Sequence, residues 1–163
     1  MAIEVIRVTP TLDTSAYAGG DVLFVGTEVV LPSKSCKLMG VQAIMYDTEA
    51  TEINLLFFQK NEIILGTINT TANISAANLK LNKYLGSLKI VGASHTVDNA
   101  LIFNQQELSD NAESIGSRLH VMGLEADRSV SANNHSIFIQ GINSSGTGTY
   151  SADDLEILLT VEY

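Results

Sequence analysis

Apolar and polar residues alternate with a period of two along much of this chain, which is typical of β-strands with one buried face. The clearest example is the final segment, Leu155–Glu162, in which Leu155, Ile157, Leu159 and Val161 share one face. Polar residues occupy most of the positions between them. The pattern predicts a closing strand with one face in a hydrophobic core.

Other segments show the same alternation or short apolar runs of strand length, and they bring the predicted total to about nine strands. They are Ile3–Val8, Val22–Leu31, Met39–Tyr46, Ile53–Phe58, Ser87–Val91, Leu101–Asn104, Leu119–Met122 and Ile137–Gln140. Turn-forming stretches such as Gly19-Gly20-Asp21 separate them, and the amphipathic helices of a parallel α/β fold are not evident. The chain is therefore predicted to be all-β, an antiparallel β-sandwich or jelly-roll-like domain.

One predicted strand, Ile53–Phe58, is apolar on both faces. Alternate residues from Ile53 form one apolar face, and Leu56 and Phe58 are apolar on the other. This pattern indicates either a central strand covered on both sides or a strand that faces a neighbouring subunit.

Two segments do not fit the strand pattern and predict one or two short helical segments at a rim of the sandwich. Ile74–Tyr84 carries leucines among Asn and Lys, and Gln105–Ser114 is polar and acidic. No repeat or low-complexity linker divides the chain, so residues 1–163 are expected to form a single domain. Within it, residues 1–10 form either an N-terminal arm or an edge strand.

Charge is distributed unevenly over the 163 residues, of which 45% are hydrophobic and 17% charged, with a net charge of −9. Residues 1–90 hold 7 basic and 8 acidic groups, whereas residues 91–163 hold only Arg118 and Arg128 against 10 acids. Nucleic-acid binding needs clustered Lys and Arg, and an anionic membrane would repel the second half. Neither partner is expected. The acidic half is interpreted as a solvated face, with a docking face for a basic protein as the alternative.

The single cysteine, Cys36, cannot form an internal disulfide. Its neighbours Lys34 and Lys37 would lower its thiol pKa if they lay beside it, but a small buried residue is the more common outcome. We expect no reactive role for it.

No catalytic constellation is recognisable. His95, His120 and His135 are the three imidazoles, and the Ser-His neighbours at His95 and His135 are chance pairs because triad partners converge in space. His120 is predicted to face solvent. No Gly-x-Ser-x-Gly elbow is present, so no catalytic residue is assigned and the protein is not expected to be an enzyme.

Metal and cofactor signals are equally weak. Asp153, Asp154 and Glu156 form the best calcium candidate, although acids capping the entry to the last strand explain them as well. Gly146–Tyr150 lacks the Lys of a phosphate-binding loop and is predicted to be a flexible hairpin tip. No metal ligand and no cofactor are assigned.

Three segments of the chain, taken in order, resemble a known family. The stretch Thr11–Leu23, TLDTSAYAGGDVL, resembles a segment near the start of small virion-associated proteins of tailed bacteriophages. The order that follows is similar: a strand ending in two aromatics, here Leu55-Leu56-Phe57-Phe58, and a late tip leading to a terminal Asp-Leu-x-Leu-type strand, here Gly148–Leu158. Residues 60–135 carry no matching signature.

The resemblance implies a β-sandwich capsid decoration (cement) protein that binds and stabilises the shell of major capsid protein. Such a protein would be a homo-oligomer, dimer or trimer, made in the host cytoplasm and placed on the outer capsid surface of the virion. The near-neutral residues 1–90 or the N-terminal arm would carry the contact. Deleting Met1–Val8 would then abolish binding or oligomerisation while the sandwich stays folded. Two alternatives remain: a tail or neck adaptor, and a glycan-binding host-attachment module, which the absence of Trp disfavours.

Overall fold

The computed structural model describes residues 1–47, 52–90, 95–97, 100–105, 122–126 and 135–163. Its elements, in chain order, are β1 (Ile3–Val8), β2 (Val22–Leu31), β3 (Ser35–Met45), β4 (Glu52–Phe58), α1 (Ala76–Leu81), β5 (Tyr84–Ile90), β6 (His95–Val97), β7 (Ala100–Gln105), β8 (Met122–Glu125), β9 (His135–Ser145) and β10 (Leu155–Glu162).

The strands form two antiparallel sheets, which confirms the predicted all-β sandwich. The first sheet has six strands in the order β1-β10-β3-β7-β6, with β8 also paired to β3. The second has four strands in the order β2-β9-β4-β5. Strand β3 is long enough for its far edge to be shared, since β8 pairs with Ser35–Leu38 and β7 with Val41–Met45.

The main core lies between the sheets and follows from the alternation in the sequence. In β10 the four apolar residues of the predicted inner face are buried, and the residues between them are half-buried. Inner-face residues of the other strands complete this core; among them are Leu23, Val29, Leu38, Val41, Ala43, Met45, Ile53, Leu55, Phe57, Leu88, Ile90, Ile137 and Ile139. Removing this apolar surface from water is the main force that holds the sheets together.

The two-sided strand β4 is covered on both faces by its own chain. Residues 59–83, here called the cap, pack over the outer face of the second sheet. Leu65 of the cap is buried in a second cluster with Leu56 and Phe58 of β4, and Leu79 packs against it. β4 is therefore a central strand covered on both sides, the first of the two interpretations of its sequence pattern.

The buried side chain of Asn82 joins the end of the cap to its beginning through hydrogen bonds. Its side-chain oxygen accepts hydrogen bonds from the backbone N–H groups of Glu62 and Ile63, each at 2.9 Å. Its side-chain nitrogen donates to the Ile63 carbonyl at 2.8 Å. One amide side chain thus satisfies three backbone groups of a segment with little regular structure.

The predicted helical segment Ile74–Tyr84 contains a shorter helix, α1. Ser75 caps its start by accepting a hydrogen bond from Asn78 N–H, and Lys83, at φ +51°, lies just beyond its end. Gln105 of the second predicted helical segment closes β7 instead, and residues 106–114 lie outside the described part of the chain. No helix among the described residues is long and apolar enough to span a membrane.

Strand bounds differ from the predictions mainly where glycine or polar residues were taken as breaks. β3 begins at Ser35, four residues before the predicted Met39, and its pairing with β10 contains a register shift next to Gly40. β9 continues through Gly141 and Asn143. β6 was not predicted. Of the predicted strand Leu119–Met122, residues 119–121 lie outside the described ranges and Met122 begins β8.

Candidate functional site

The first and last segments of the family resemblance, Thr11–Leu23 and Gly148–Leu158, lie against each other in the fold. Tyr17 N–H donates to the Gly148 carbonyl at 2.8 Å, and Leu12 N–H donates to the Ala152 carbonyl at 2.9 Å. The rings of Tyr17 and Tyr150 are both buried, with centroids 5.7 Å apart and planes tilted by 44°. The resemblance therefore describes one packed unit that joins the two ends of the chain.

The hydroxyl group of Tyr17 both accepts and donates a hydrogen bond inside this unit. Its oxygen accepts a hydrogen bond from Asp13 N–H at 2.6 Å and donates to the Leu23 carbonyl at 3.2 Å. Burial raises the pKa of this phenol. Tyr17 is thus a structural residue and offers no polar group to a ligand.

The turn Gly19-Gly20-Asp21 is held by its own polar groups. Gly20 has φ +95°, a conformation that favours glycine. The Asp21 carboxylate accepts a hydrogen bond from Ala18 N–H at 2.7 Å, and the buried Asn143 side chain donates to the Ala18 carbonyl at 3.1 Å. This part of the segment Thr11–Leu23 therefore also stabilises the fold.

Two of the three acids of the calcium candidate bind different partners, and the third, Asp153, is exposed. Asp154 accepts a hydrogen bond from Ser151 N–H and closes the turn before β10. Glu156 lies on the outer face of the first sheet, where it pairs with Arg7 and accepts a hydrogen bond from the Tyr46 hydroxyl at 3.0 Å. Within the described ranges, no group of three His, Cys, Asp or Glu side chains is placed to hold a metal ion.

Gly146–Tyr150 is not a hairpin tip, contrary to the prediction. β9, which precedes it, pairs with β2 and β4, whereas β10, which follows it, pairs with β1 and β3. The segment therefore crosses from one sheet to the other. Pattern reasoning missed this because alternation shows which face of a strand is buried but not which sheet the strand joins.

The nucleophile candidates have no catalytic geometry. Cys36 is buried, and burial raises its thiol pKa, while the flanking lysines that would lower it form ion pairs with Glu125 and Glu162. His135 Nδ1 and Ser136 Oγ are both buried without a hydrogen-bond partner, so these neighbours do not form a base–nucleophile pair.

His95 lies in β6, and His120 lies outside the described residues.

One exposed apolar surface lies on the cap. Ile64, whose residue surface is 67% exposed, Ile74 and Leu81 are exposed on the cap, and Tyr84 is exposed at the start of β5, directly after it. The hydrogen bond from Asn73 N–H to the Leu65 carbonyl places the backbone segments that contain Ile64 and Ile74 next to each other. We call these four residues the cap surface.

The cap differs in charge from the rest of the molecule. Residues 59–83 hold three lysines, Lys60, Lys80 and Lys83, against one acid, Glu62, a balance of +2 in a protein of net charge −9. Lys80 and Lys83 are exposed beside Leu81. The cap surface thus combines apolar side chains with a basic border, which is the composition of a docking surface for an apolar patch with acidic neighbours.

A second exposed apolar site lies on β1. Ile3 and Val5 are 70% and 57% exposed on the outer face of the first sheet, whereas Ile6 and Val8 turn inward to the core. β1 pairs with β10 along its whole length, from Ile3 opposite Glu162 to Val8 opposite Ile157. The structure therefore has this segment as an edge strand of the sheet.

Comparison with known proteins adds little. No family model matches the chain, and no curated protein matches it. Among solved structures, a chain in "Structure of infectious bursal disease virus Gx strain" is similar over 98% of this chain and 33% of its own length, with 12% sequence identity and a TM-score of 0.31. This chain thus spans a third of the length of that one, and a likeness at this level does not assign a function.

Proposed function

We propose that this protein is a capsid decoration protein of a tailed bacteriophage, made in the host cytoplasm and bound to the major capsid protein on the outer surface of the virion. In this role it acts without catalysis, by burying surface against neighbouring shell subunits. Because it binds the assembled shell, it stabilises that state by mass action.

The observation that carries this proposal is the contact between Tyr17 and Tyr150. The first and last segments of the family resemblance are more than a hundred residues apart in sequence; the first is fairly specific, and the last alone would be a weak signal. Their direct packing means that both belong to one structural unit of the sandwich. Shared residues in one packed unit support a shared fold more strongly than two unrelated similarities would.

The cap surface is the proposed capsid contact. It lies in the near-neutral residues 1–90, it exposes four large apolar side chains, and its lysines set it apart from an acidic protein. The complementary shell surface would be an apolar patch with acidic residues at its rim, because such a rim attracts Lys80 and Lys83 and repels the acidic parts of the molecule. Most of the affinity would come from the buried apolar centre.

A sedimentation experiment tests the proposal. Phage heads stripped of this protein are mixed with the purified protein, pelleted and assayed for bound protein. Ile64→Asp and Leu81→Asp each place a charge on the cap surface and are expected to weaken binding at least about tenfold, which corresponds to about 1.4 kcal/mol. Tyr163→Asp is the matched control, since it makes the same charge change at a similarly exposed residue at the end of the first sheet.

The outcomes separate the proposal from its alternatives. Saturable binding of the wild-type and Tyr163→Asp proteins, with loss in the two cap variants, supports it. Absence of wild-type binding to heads overturns it, as does equal binding by all four proteins. Binding to complete virions but not to heads would instead indicate a tail or neck adaptor, and reproducible binding to a glycan array would indicate a host-attachment module.

A further inference from the structure

Among the described residues, five strands pair along one edge only: β1, β6 and β8 of the first sheet and β2 and β5 of the second. They differ in how far they are protected against pairing with another chain, and β8, at four residues, is short. β2 contains two register shifts against β9, and β5 contains one against β4. β6 is three residues long. Bulges and short edge strands are the usual means by which proteins prevent edge-to-edge association.

β1 has none of these protections. It is six residues long, its register against β10 is unbroken, and it carries two exposed β-branched residues, Ile3 and Val5. Such a strand presents a straight row of backbone donors and acceptors with an apolar face beside it, which is a template for a further strand.

The hydrogen bonds to β10 determine which backbone groups of β1 remain available. Ala2 and Tyr163 exchange both of their N–H to carbonyl hydrogen bonds, at 2.9 and 3.0 Å. Because hydrogen-bonded pairs alternate along an antiparallel ladder, the next residues of β1 bonded to β10 are Glu4, Ile6 and Val8. The N–H and carbonyl groups of Ile3, Val5 and Arg7 therefore point away from β10, toward an edge with which no other described strand pairs, here called the free edge.

This spacing limits how a second β1 can pair antiparallel with the first. Odd-numbered residues must face odd-numbered residues, because only their backbone groups reach the free edge. Each possible register corresponds to a two-fold axis through one residue of β1. An axis through Glu4 would place the two Glu4 carboxylates directly opposite each other, and an axis through Arg7 would do so with the two guanidinium groups. Like charges directly opposite each other destabilise a strand pair.

An axis through Val5 avoids both conflicts. It sets Val5 against Val5 of the copy and Ile3 against Arg7 of the copy, so three residue pairs each exchange two hydrogen bonds. An axis through Ile6 would leave fewer such pairs within the strand. Repulsion between like charges at Glu4 and Arg7 thus disfavours two of the registers, and the register centred on Val5 has the most hydrogen-bonded pairs.

We propose that this protein forms a two-fold homodimer in which β1 pairs antiparallel with β1 of a second copy about an axis through Val5. The pairing joins the two first sheets through β1 into one continuous sheet with ten strands along its path, a width that natural sheets reach. It also places Ile3 and Val5 of both copies side by side at the centre of the outer face, where cross-strand side-chain contacts form.

Light scattering coupled to size-exclusion chromatography tests the dimer. Between low-micromolar and submillimolar concentration, the wild-type mass is expected to rise toward twice the monomer's 17.5 kDa. Val5→Lys sets two ammonium groups against each other and is expected to hold the mass at the monomer value. Val30→Lys is the matched control, because Val30 is a similarly exposed valine of the bulged edge strand β2, and it should dimerise as the wild type does.

Amide hydrogen exchange provides a second test that needs no variant. In the dimer the amides of Ile3, Val5 and Arg7 are expected to become protected as concentration rises, whereas those of Glu4, Ile6 and Val8 are protected at every concentration. A monomer throughout the range, a trimer, dimerisation of Val5→Lys equal to that of the wild type, or no concentration dependence at the three odd positions would each overturn the proposal.

The dimer does not depend on the proposed function. Both tests use purified protein without phage heads, and the cap surface lies on the other sheet. A dimer that fails to bind heads would refute the decoration role alone, and a monomer that binds heads would refute the dimer alone.

Discussion

Tyr17 and Tyr150 connect the beginning and the end of the chain through a tilted ring contact at 5.7 Å in the core of the sandwich. Tyr17 also joins three pieces of backbone, since its N–H bonds Gly148 and its hydroxyl bonds both Asp13 and Leu23. A residue with this many buried partners contributes to folding, so its substitution should act on stability.

Tyr17→Phe keeps the ring and removes the hydroxyl. The Asp13 N–H and the Leu23 carbonyl then lose a partner in a buried place, and the free energy of unfolding is expected to fall by about 1–3 kcal/mol. Urea unfolding followed by circular dichroism measures this. Tyr163→Phe, at an exposed tyrosine, should change it by less than about 0.5 kcal/mol. Equal stability of both variants would show that the Tyr17 hydroxyl is not buried as described.

Two glycines in strands are expected to respond oppositely to alanine. A Cβ at Gly141 would overlap the ring of Phe24 on the neighbouring strand, so Gly141→Ala should destabilise the protein by about 1–3 kcal/mol. A Cβ at Gly40 meets nothing within 4 Å, so Gly40→Ala should be neutral or slightly stabilising. Thermal unfolding of the pair provides the comparison. If Gly40→Ala lowered the melting temperature more than Gly141→Ala, the packing of β2 on β9 would be wrong.

Cys36 should react slowly in the folded protein. Burial both raises its thiol pKa and blocks access, and its sulfur donates to the Ser33 carbonyl at 3.6 Å. Labelling with a chromogenic disulfide reagent at neutral pH is expected to be much slower in buffer than in denaturing urea. Equal rates in the two conditions would place the thiol at the surface.

Asp13 should make stability depend on pH in the acid range. Its carboxylate accepts a hydrogen bond from Ser15 N–H at 2.6 Å, and this bond is the main reason that its pKa lies below the ordinary 3.8. Because the folded-state pKa is lower than the unfolded one, the stabilisation is fully present above the unfolded pKa and is lost as pH falls through the folded pKa.

Unfolding of wild-type protein and Asp13→Asn at decreasing pH measures this contribution. The difference between the two is expected to be constant from neutral pH to about pH 5 and to shrink at lower pH. A difference that grew on acidification would contradict the assignment.

Much of the fold could be predicted because alternation is a local property. β1, β2 and β10 have the bounds that the sequence pattern predicts, since each buries one face in the main core. The pattern could not show whether this chain or a neighbouring one covers Leu56 and Phe58. Leu65 stands in a short apolar run without strand alternation, and Leu79 lies in a short helix whose packing partner a local pattern does not give.

The docking surfaces were less predictable. The cap surface depends on how residues 59–83 fold over the second sheet, and nothing in its sequence distinguishes exposed Ile64 from buried Leu65. The N-terminal segment was correctly placed at an edge as one of two alternatives, but its full pairing with β10 changes the expected effect of deletion. Removing Met1–Val8 would take away a paired strand and the buried Val8, so the sandwich would lose stability and loss of binding would be ambiguous.

Imaging of virions by electron cryomicroscopy tests the central proposal most directly. The account predicts a β-sandwich on the outside of the capsid, with Ile64 and Leu81 of the cap buried against the major capsid protein. Virions without such density on the capsid, or a sandwich that contacts the shell through another face while its cap points to solvent, would contradict it.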